Sequence, residues 1–233
     1  MTTTPPSAAG DRPSEPQAVE LQTVPDPAAT VIWLHGLGAD GYDFVPIVRE
    51  LESLGAPAAR YVFPHAPMRP VTINGGYVMR AWYDILGTDL DRREDEAGIR
   101  ASQAAVENLI AREVARGTPP ARIVLAGFSQ GGAIALHSGL RRPQPLAGLV
   151  ALSCYLPLVD RFEAERHPAS ARVPIFLAHG NADPVVPIAR GVAARDRLVA
   201  LGHPVAWHEY PMPHSVCAEQ IRDIAAFLRD VLR

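Results

Sequence analysis

Residues Gly127-Phe128-Ser129-Gln130-Gly131 set a serine between two glycines in the pattern G-x-S-x-G. A serine hydroxyl is a weak nucleophile until a base takes its proton, and that base needs a third group to orient it. The neighbours suit such a role. Ile123-Val-Leu-Ala126 reads as a buried strand, and Gly131-Gly132-Ala-Ile-Ala-Leu136 opens a helix of small residues. A serine on a sharp strand-to-helix turn is strained, exposed, and close to a helix N-terminus that favours negative charge. The plainer reading is a glycine turn with Ser129 as a helix cap. The strand before it and the helix after it favour the nucleophile.

Behind such an elbow the acid and then the base follow along the chain. Val173-Pro-Ile-Phe-Leu-Ala178 leads into His179-Gly-Asn-Ala-Asp183, where Asp183 is the acid. Val205-Ala-Trp-His-Glu209 leads into Tyr210-Pro-Met-Pro-His214, just before the last helix, where His214 is the base. The expected triad is Ser129, His214 and Asp183. His179 is read as a loop hydrogen-bonder, His208 as a packed or surface residue, and His35 as a holder of loop shape. A tetrahedral oxyanion needs two donors. The Gln130 N–H is one, and the Leu37 N–H in His35-Gly36-Leu37-Gly38 is the other. Trp82-Tyr83-Asp84-Ile85 and Val185-Val186 read either as core or as an apolar acyl pocket. Trp82, Ile85, Val185 and Val186 are the substrate-binding candidates. No His-x-x-x-His or Cys-x-x-Cys spacing points to a metal.

The elements that must position these residues alternate. Strands are expected at Val19–Thr23, Thr30–His35, Arg60–Phe63, Arg122–Ala126, Leu149–Leu152, Val173–Ala178 and Val205–Glu209. Helices are expected over Asp43–Leu54, Glu96–Arg116, Gly132–Leu140, Ile188–Leu201 and Ser215–Arg233. The second of these has Ile99, Val106, Leu109, Ile110 and Val114 on one face. Strands that are mostly unbroken apolar runs, alternating with helices, describe a parallel α/β sheet covered on both faces. The segment Ala66–Asp95 is less regular, and such segments tend to carry function. Residues 1–17, rich in Pro, Ser and Thr, read as a disordered tail before one catalytic domain over 18–233.

Composition narrows the chemistry. The 233 residues hold 22 basic side chains, every one of them Arg, against 25 acidic ones. Without lysine there is no Schiff base, no Ser-Lys dyad and no P-loop. A net charge of −3 with no basic block argues against nucleic acid as a partner. No signal peptide and no apolar run long enough for a membrane span is visible. Two unpatterned cysteines, Cys154 and Cys217, fit a reduced, cytoplasmic protein.

Several motifs then fall together: Val31-Ile-Trp-Leu-His-Gly-Leu-Gly-Ala-Asp-Gly41, Pro64-His-Ala-Pro67, Asn74-Gly75-Gly76, Ala81-Trp-Tyr-Asp84, Gly127-Phe-Ser-Gln-Gly-Gly132, Leu152-Ser-Cys-Tyr-Leu-Pro157, His179-Gly180 with Asp183-Pro184, and Pro213-His214-Ser215. In this order they resemble the serine carboxylesterases related to acyl-protein thioesterases and lysophospholipases, on the α/β-hydrolase fold. The resemblance covers nearly the whole chain after the tail. It implies Ser129 as nucleophile, His214 as base, Asp183 as orienting acid, the Leu37 and Gln130 N–H groups as oxyanion hole, and no cofactor. It also implies a small, lidless and often dimeric enzyme. The expected activity is hydrolysis of short-to-medium-chain carboxylic esters or thioesters through an acyl-enzyme. Depalmitoylation of proteins and lysophospholipid hydrolysis are the rival substrates. An inactive binding module on the same scaffold is the reading from another class, and a peptidase has less support.

Overall fold

The computed structural model describes residues 17–87 and 94–233. All of the proline-rich tail except Gln17 therefore lies outside the described residues. The Gln17 carbonyl accepts from the His65 N–H at 2.8 Å, so the described chain begins at the sheet edge.

Seven strands form the central sheet: β1 (Ala18–Gln22), β2 (Thr30–Leu34), β3 (Arg60–Pro64), β6 (Ile123–Phe128), β7 (Gly148–Leu152), β8 (Ile175–Gly180) and β9 (Val205–Tyr210). Their order is β1-β3-β2-β6-β7-β8-β9. Only β1 runs antiparallel to its neighbour, with Ala18 opposite Pro64 and Gln22 opposite Arg60. The other pairs are parallel, as crossover helices require.

The helices are α1 (Ile47–Ser53), α2 (Glu96–Ala115), α3 (Gln130–Gly139), α4 (Val159–Glu165), α5 (Ile188–Ala200) and α6 (Ala218–Val231). Because side chains alternate along a strand, each strand feeds two cores. Ile32, Leu34, Leu125, Leu149 and Leu177 point into one cluster with Ile99, Val106, Leu109 and Ile110 of α2 and Leu198 of α5. Val31, Trp33, Val124, Val150 and Phe176 point the other way, toward Ile47 and Leu51 of α1 and Ile221, Ile224 and Leu228 of α6. Burial on both faces is why these strands carry no alternating polar residues.

The structure corrects two details. The buried stripe of α2 continues through Glu113, with no accessible surface, and leaves Val114 41% exposed. Glu113 holds that position because Arg60 reaches it at 2.9 Å and the Thr30 hydroxyl donates to it at 3.2 Å. A buried carboxylate needs such partners. The irregular segment is also partly regular: β4 (Met68–Val71) and β5 (Tyr77–Arg80) form an antiparallel hairpin. Its turn places Gly75 and Gly76 at φ +66° and +79°, where glycine has no steric penalty.

Candidate active site

Ser129 sits between β6 and α3 at φ +54°, ψ −118°. A non-glycine residue there costs about 1–3 kcal/mol and must be held by its surroundings. The Ser129 N–H donates to Leu152 O at 2.8 Å, and Ser129 O accepts from Ala133 N–H at 3.0 Å. The glycines make the turn possible. A Cβ on Gly127 would run into the Gly131 backbone, and one on Gly131 into the Leu34 carbonyl. The Ser129 hydroxyl makes no capping bond to α3, so the helix-cap reading does not describe it.

Asp183 and His214 meet as the sequence predicts. His214 Nδ1 lies 2.6 Å from Asp183 Oδ2. The other carboxylate oxygen accepts from Val185 N–H at 2.8 Å and Val186 N–H at 2.9 Å. The Asp183 side chain is fully buried, while that of His214 retains 16% exposure. The carboxylate therefore reaches the cavity only through the imidazole, which faces it. The His214 ring packs against Phe128, the residue before Ser129, with centroids 4.6 Å apart.

The two residues expected to donate to an oxyanion lie on separate segments. Leu37 follows β2, and Gln130 begins α3. Among the described residues neither N–H donates to another protein group. Gly38, at φ +78°, turns the first loop, and its N–H donates to Arg80 O at 2.9 Å. His35 fixes the loop's base. Its Nδ1 is 2.7 Å from Gly36 O, and its Nε2 accepts from the Ala66 N–H at 3.0 Å. These partners require the Nδ1–H tautomer, and burial pulls the imidazole down to about 4, so it stays neutral near pH 7.

Ser129, His214, Leu37 and Gln130 line one cavity of about 810 Å³. Ile85, Val185 and Val186 line it too, with Tyr83 and Tyr155 beside them. Trp82 is placed differently from the acyl-pocket expectation. It has no accessible surface and is absent from the cavity wall. Its indole N–H donates to His35 O at 2.9 Å, and its backbone N–H to Gln130 Oε1 at 2.7 Å. Gln130 Nε2 returns a bond to Tyr83 O at 2.7 Å. Trp82 thus ties together the loop after β2 and the start of α3, where Leu37 and Gln130 lie. No local pattern announces this, because its partners lie 47 and 48 residues away.

The other histidines fit their plain readings. His179 is fully buried, with Nε2 2.8 Å from Val186 O and 3.6 Å from Asp183 Oδ2, and burial lowers its affinity for a proton. It braces the loop that holds the acid. His208 stacks between Phe176 and Tyr210. Cys154 is fully buried beside Gly132, and burial pushes its thiol up, away from thiolate chemistry. Tyr155 and Arg190 on the cavity wall were not singled out from the sequence. Tyr155 lies in the quoted Leu152–Pro157 motif, whereas Arg190 gives no sign of facing a cavity. Among the described residues no group of His, Cys, Asp and Glu is gathered as a metal site, and no helix is long and apolar enough to cross a membrane.

A mostly parallel sheet with a strained serine on the strand-to-helix elbow, and a paired acid and imidazole opening on the same cavity, defines an α/β-hydrolase of the serine type. The chain belongs to the phospholipase/carboxylesterase family, whose sequence pattern matches residues 17–232. Acyl-protein thioesterase 1 of Mycosarcoma maydis is 45% identical over 224 residues, covering 88% of this chain and 92% of the relative. Acyl-protein thioesterase 1 of Neurospora crassa is 44% identical over 214 residues, covering 88% and 87%. Among solved structures, acyl-protein thioesterase 2 of Zea mays superposes with a TM-score of 0.82 at 30% identity, covering 94% of this chain and all of that one.

Proposed function

We propose that this protein hydrolyses short-to-medium-chain carboxylic esters and thioesters, with Ser129 as nucleophile, His214 as general base and Asp183 as orienting acid. His214 Nε2 takes the hydroxyl proton as Ser129 Oγ bonds to the carbonyl carbon. The carbonyl oxygen gains the negative charge and is received by the Leu37 and Gln130 N–H groups. Collapse of the intermediate breaks the bond to the leaving oxygen or sulfur, which takes the proton from His214. Water then enters and gives a proton to the same imidazole as its oxygen bonds to the acyl carbon; the carbon–Oγ bond breaks, Ser129 Oγ takes the proton back, and the acid is released. The Asp183 carboxylate accepts the Nδ1–H, so that Nε2 faces the serine. No step calls for a metal or cofactor.

The observation that carries this reading is the 2.6 Å bond from His214 Nδ1 to an Asp183 carboxylate already anchored by two backbone N–H groups. It opens on the cavity that Ser129 lines. The apolar walls formed by Ile85, Val185 and Val186 suit an acyl chain. Relatives named acyl-protein thioesterase support a second reading, removal of long acyl groups from protein thiols. Esters and matched thioesters from C2 to C16, turned over by the purified protein, separate the two. Highest kcat/KM at or below about C8 supports the first reading; a maximum at C16 thioesters supports the second. The free, buried Cys154 agrees with a cytoplasmic location.

A further inference from the structure

Most of the described arginines have a carboxylate or carbonyl partner. Arg49, Arg172, Arg190 and Arg222 have neither among the described residues. Arg49, Arg172 and Arg222 are exposed, where water serves as partner. Arg190 is half-buried and lines the cavity that holds Ser129 and His214.

Its surroundings explain why no described carboxylate or carbonyl pairs with it. Arg190 lies in the first turn of α5, and its helical neighbours Val186, Pro187, Ala193 and Ala194 offer no carboxylate. Asp183 is taken up by Val185, Val186 and His214. Asp196 pairs with Arg195. Asp43, the carboxylate on the cavity wall, makes no ion pair with Arg190. The guanidinium instead stacks on Tyr155, with Cζ 4.1 Å from the ring centroid. Tyr155 is held in turn by Tyr83, their hydroxyls 2.7 Å apart. Stacking occupies one flat face of the guanidinium. Its N–H donors lie in the plane and stay available. A positioned, partly desolvated cation binds an oxyanion better than a surface arginine does, because water competes less.

We propose that Arg190 is a specificity-determining residue that receives an anionic oxygen group of the substrate. The favoured substrate is then an ester or thioester that carries a carboxylate or phosphate away from the scissile bond. This rests on Ser129 as the nucleophile of the same cavity.

Two matched pairs of substrates test it and distinguish where the anion sits. In one, p-nitrophenyl hexanoate is compared with mono-p-nitrophenyl adipate, which adds a carboxylate to the acyl group. In the other, monooctanoylglycerol is compared with its phosphate, which adds charge to the leaving group. The readout is the ratio of kcat/KM, anionic over neutral, on one preparation, so that any loss of folded enzyme cancels. Arg190→Gln is expected to lower the ratio about tenfold to a hundredfold in at least one pair. Arg190→Glu is expected to lower it further, and Arg190→Lys to keep part of it. A fall in the adipate pair places the anion in the acyl group; a fall in the phosphate pair places it in the leaving group. Unchanged ratios in both pairs overturn the inference and leave Arg190 as a wall of the cavity. Full ester turnover by Ser129→Ala overturns the nucleophile assignment instead, so the two failures are distinct.

Discussion

Replacing Asp183 by Asn or by Ala separates the two jobs the structure gives this carboxylate. In Asp183→Asn, the amide oxygen can keep the Val185 and Val186 N–H groups, now 2.8 and 2.9 Å from Oδ1. The amide NH2 then faces His214 Nδ1, where Oδ2 now lies at 2.6 Å. Two donors cannot share that contact. The imidazole keeps its proton on Nε2, pointing at Ser129, and cannot accept the hydroxyl proton. The loss in kcat is expected to be about 10³–10⁴-fold, the scale of a wrong tautomer in a serine triad. Flipping the amide to rescue His214 would set the NH2 against two backbone N–H donors. The buried one, on Val186, would be orphaned at a cost of about 1–3 kcal/mol. Asp183→Ala loses the tautomer control and the turn anchor together. Val185 is 65% exposed and can bond to water, so the stability loss comes mainly from Val186. That is about 1–3 kcal/mol, or a Tm lower by roughly 2–12 °C. Steady-state p-nitrophenyl ester turnover and thermal unfolding of both variants read out the two effects. The reasoning fails if Asp183→Asn keeps more than a tenth of the activity, or if Asp183→Ala is as stable as Asp183→Asn.

Two further outcomes follow from buried groups. Trp82→Phe removes the indole donor from the buried His35 carbonyl and loosens the tie between the oxyanion loops. A stability loss of about 1–3 kcal/mol is expected, with kcat lowered more than KM is raised; kinetics alongside a melting curve check it, and unchanged kcat contradicts it. Acid should also unfold the protein. Burial holds His35 near 4, and burial with the Arg141 and Arg100 charges holds His137 near 3, while an unfolded imidazole accepts a proton near 6.5. The folded chain therefore binds fewer protons below about pH 6.5, and stability is full above that value. It falls as the pH drops toward 4, and for His137 toward 3. At about 1.4 kcal/mol per unit the two together approach a typical whole-protein stability. A Tm that does not change between about pH 7 and 4.5 contradicts this.

Much of the arrangement is legible in the sequence where the constraint is local. The elbow is readable because Gly127 and Gly131 have no room for a Cβ, and a serine between them has few other reasons to exist. The strands are readable because burial on both faces leaves unbroken apolar runs. Asp183 and His214 follow from strand order, since residues at the C-terminal ends of adjacent parallel strands β8 and β9 must come together. What stays hidden is non-local. Trp82 resembles a pocket aromatic beside Tyr83, but its partners come from loops distant in the chain. Glu113 takes an apolar position on α2 because Arg60 of β3 and Thr30 of β2 reach it. The β4–β5 hairpin hides behind four-residue strands and Pro70, a residue that argues against a strand except at an edge. Arg190, one of the charged residues of α5 with Arg195, Asp196 and Arg197, reads as solvated until α5 is placed against the cavity.

The central claim is that Ser129 is the nucleophile. Intact-mass and peptide analysis after treatment with a fluorophosphonate probe tests it most directly. One covalent adduct on Ser129 is predicted for the native chain, with none on Ser129→Ala and a much slower one on His214→Ala. A native chain that takes no adduct, or an adduct on any other residue, contradicts the account.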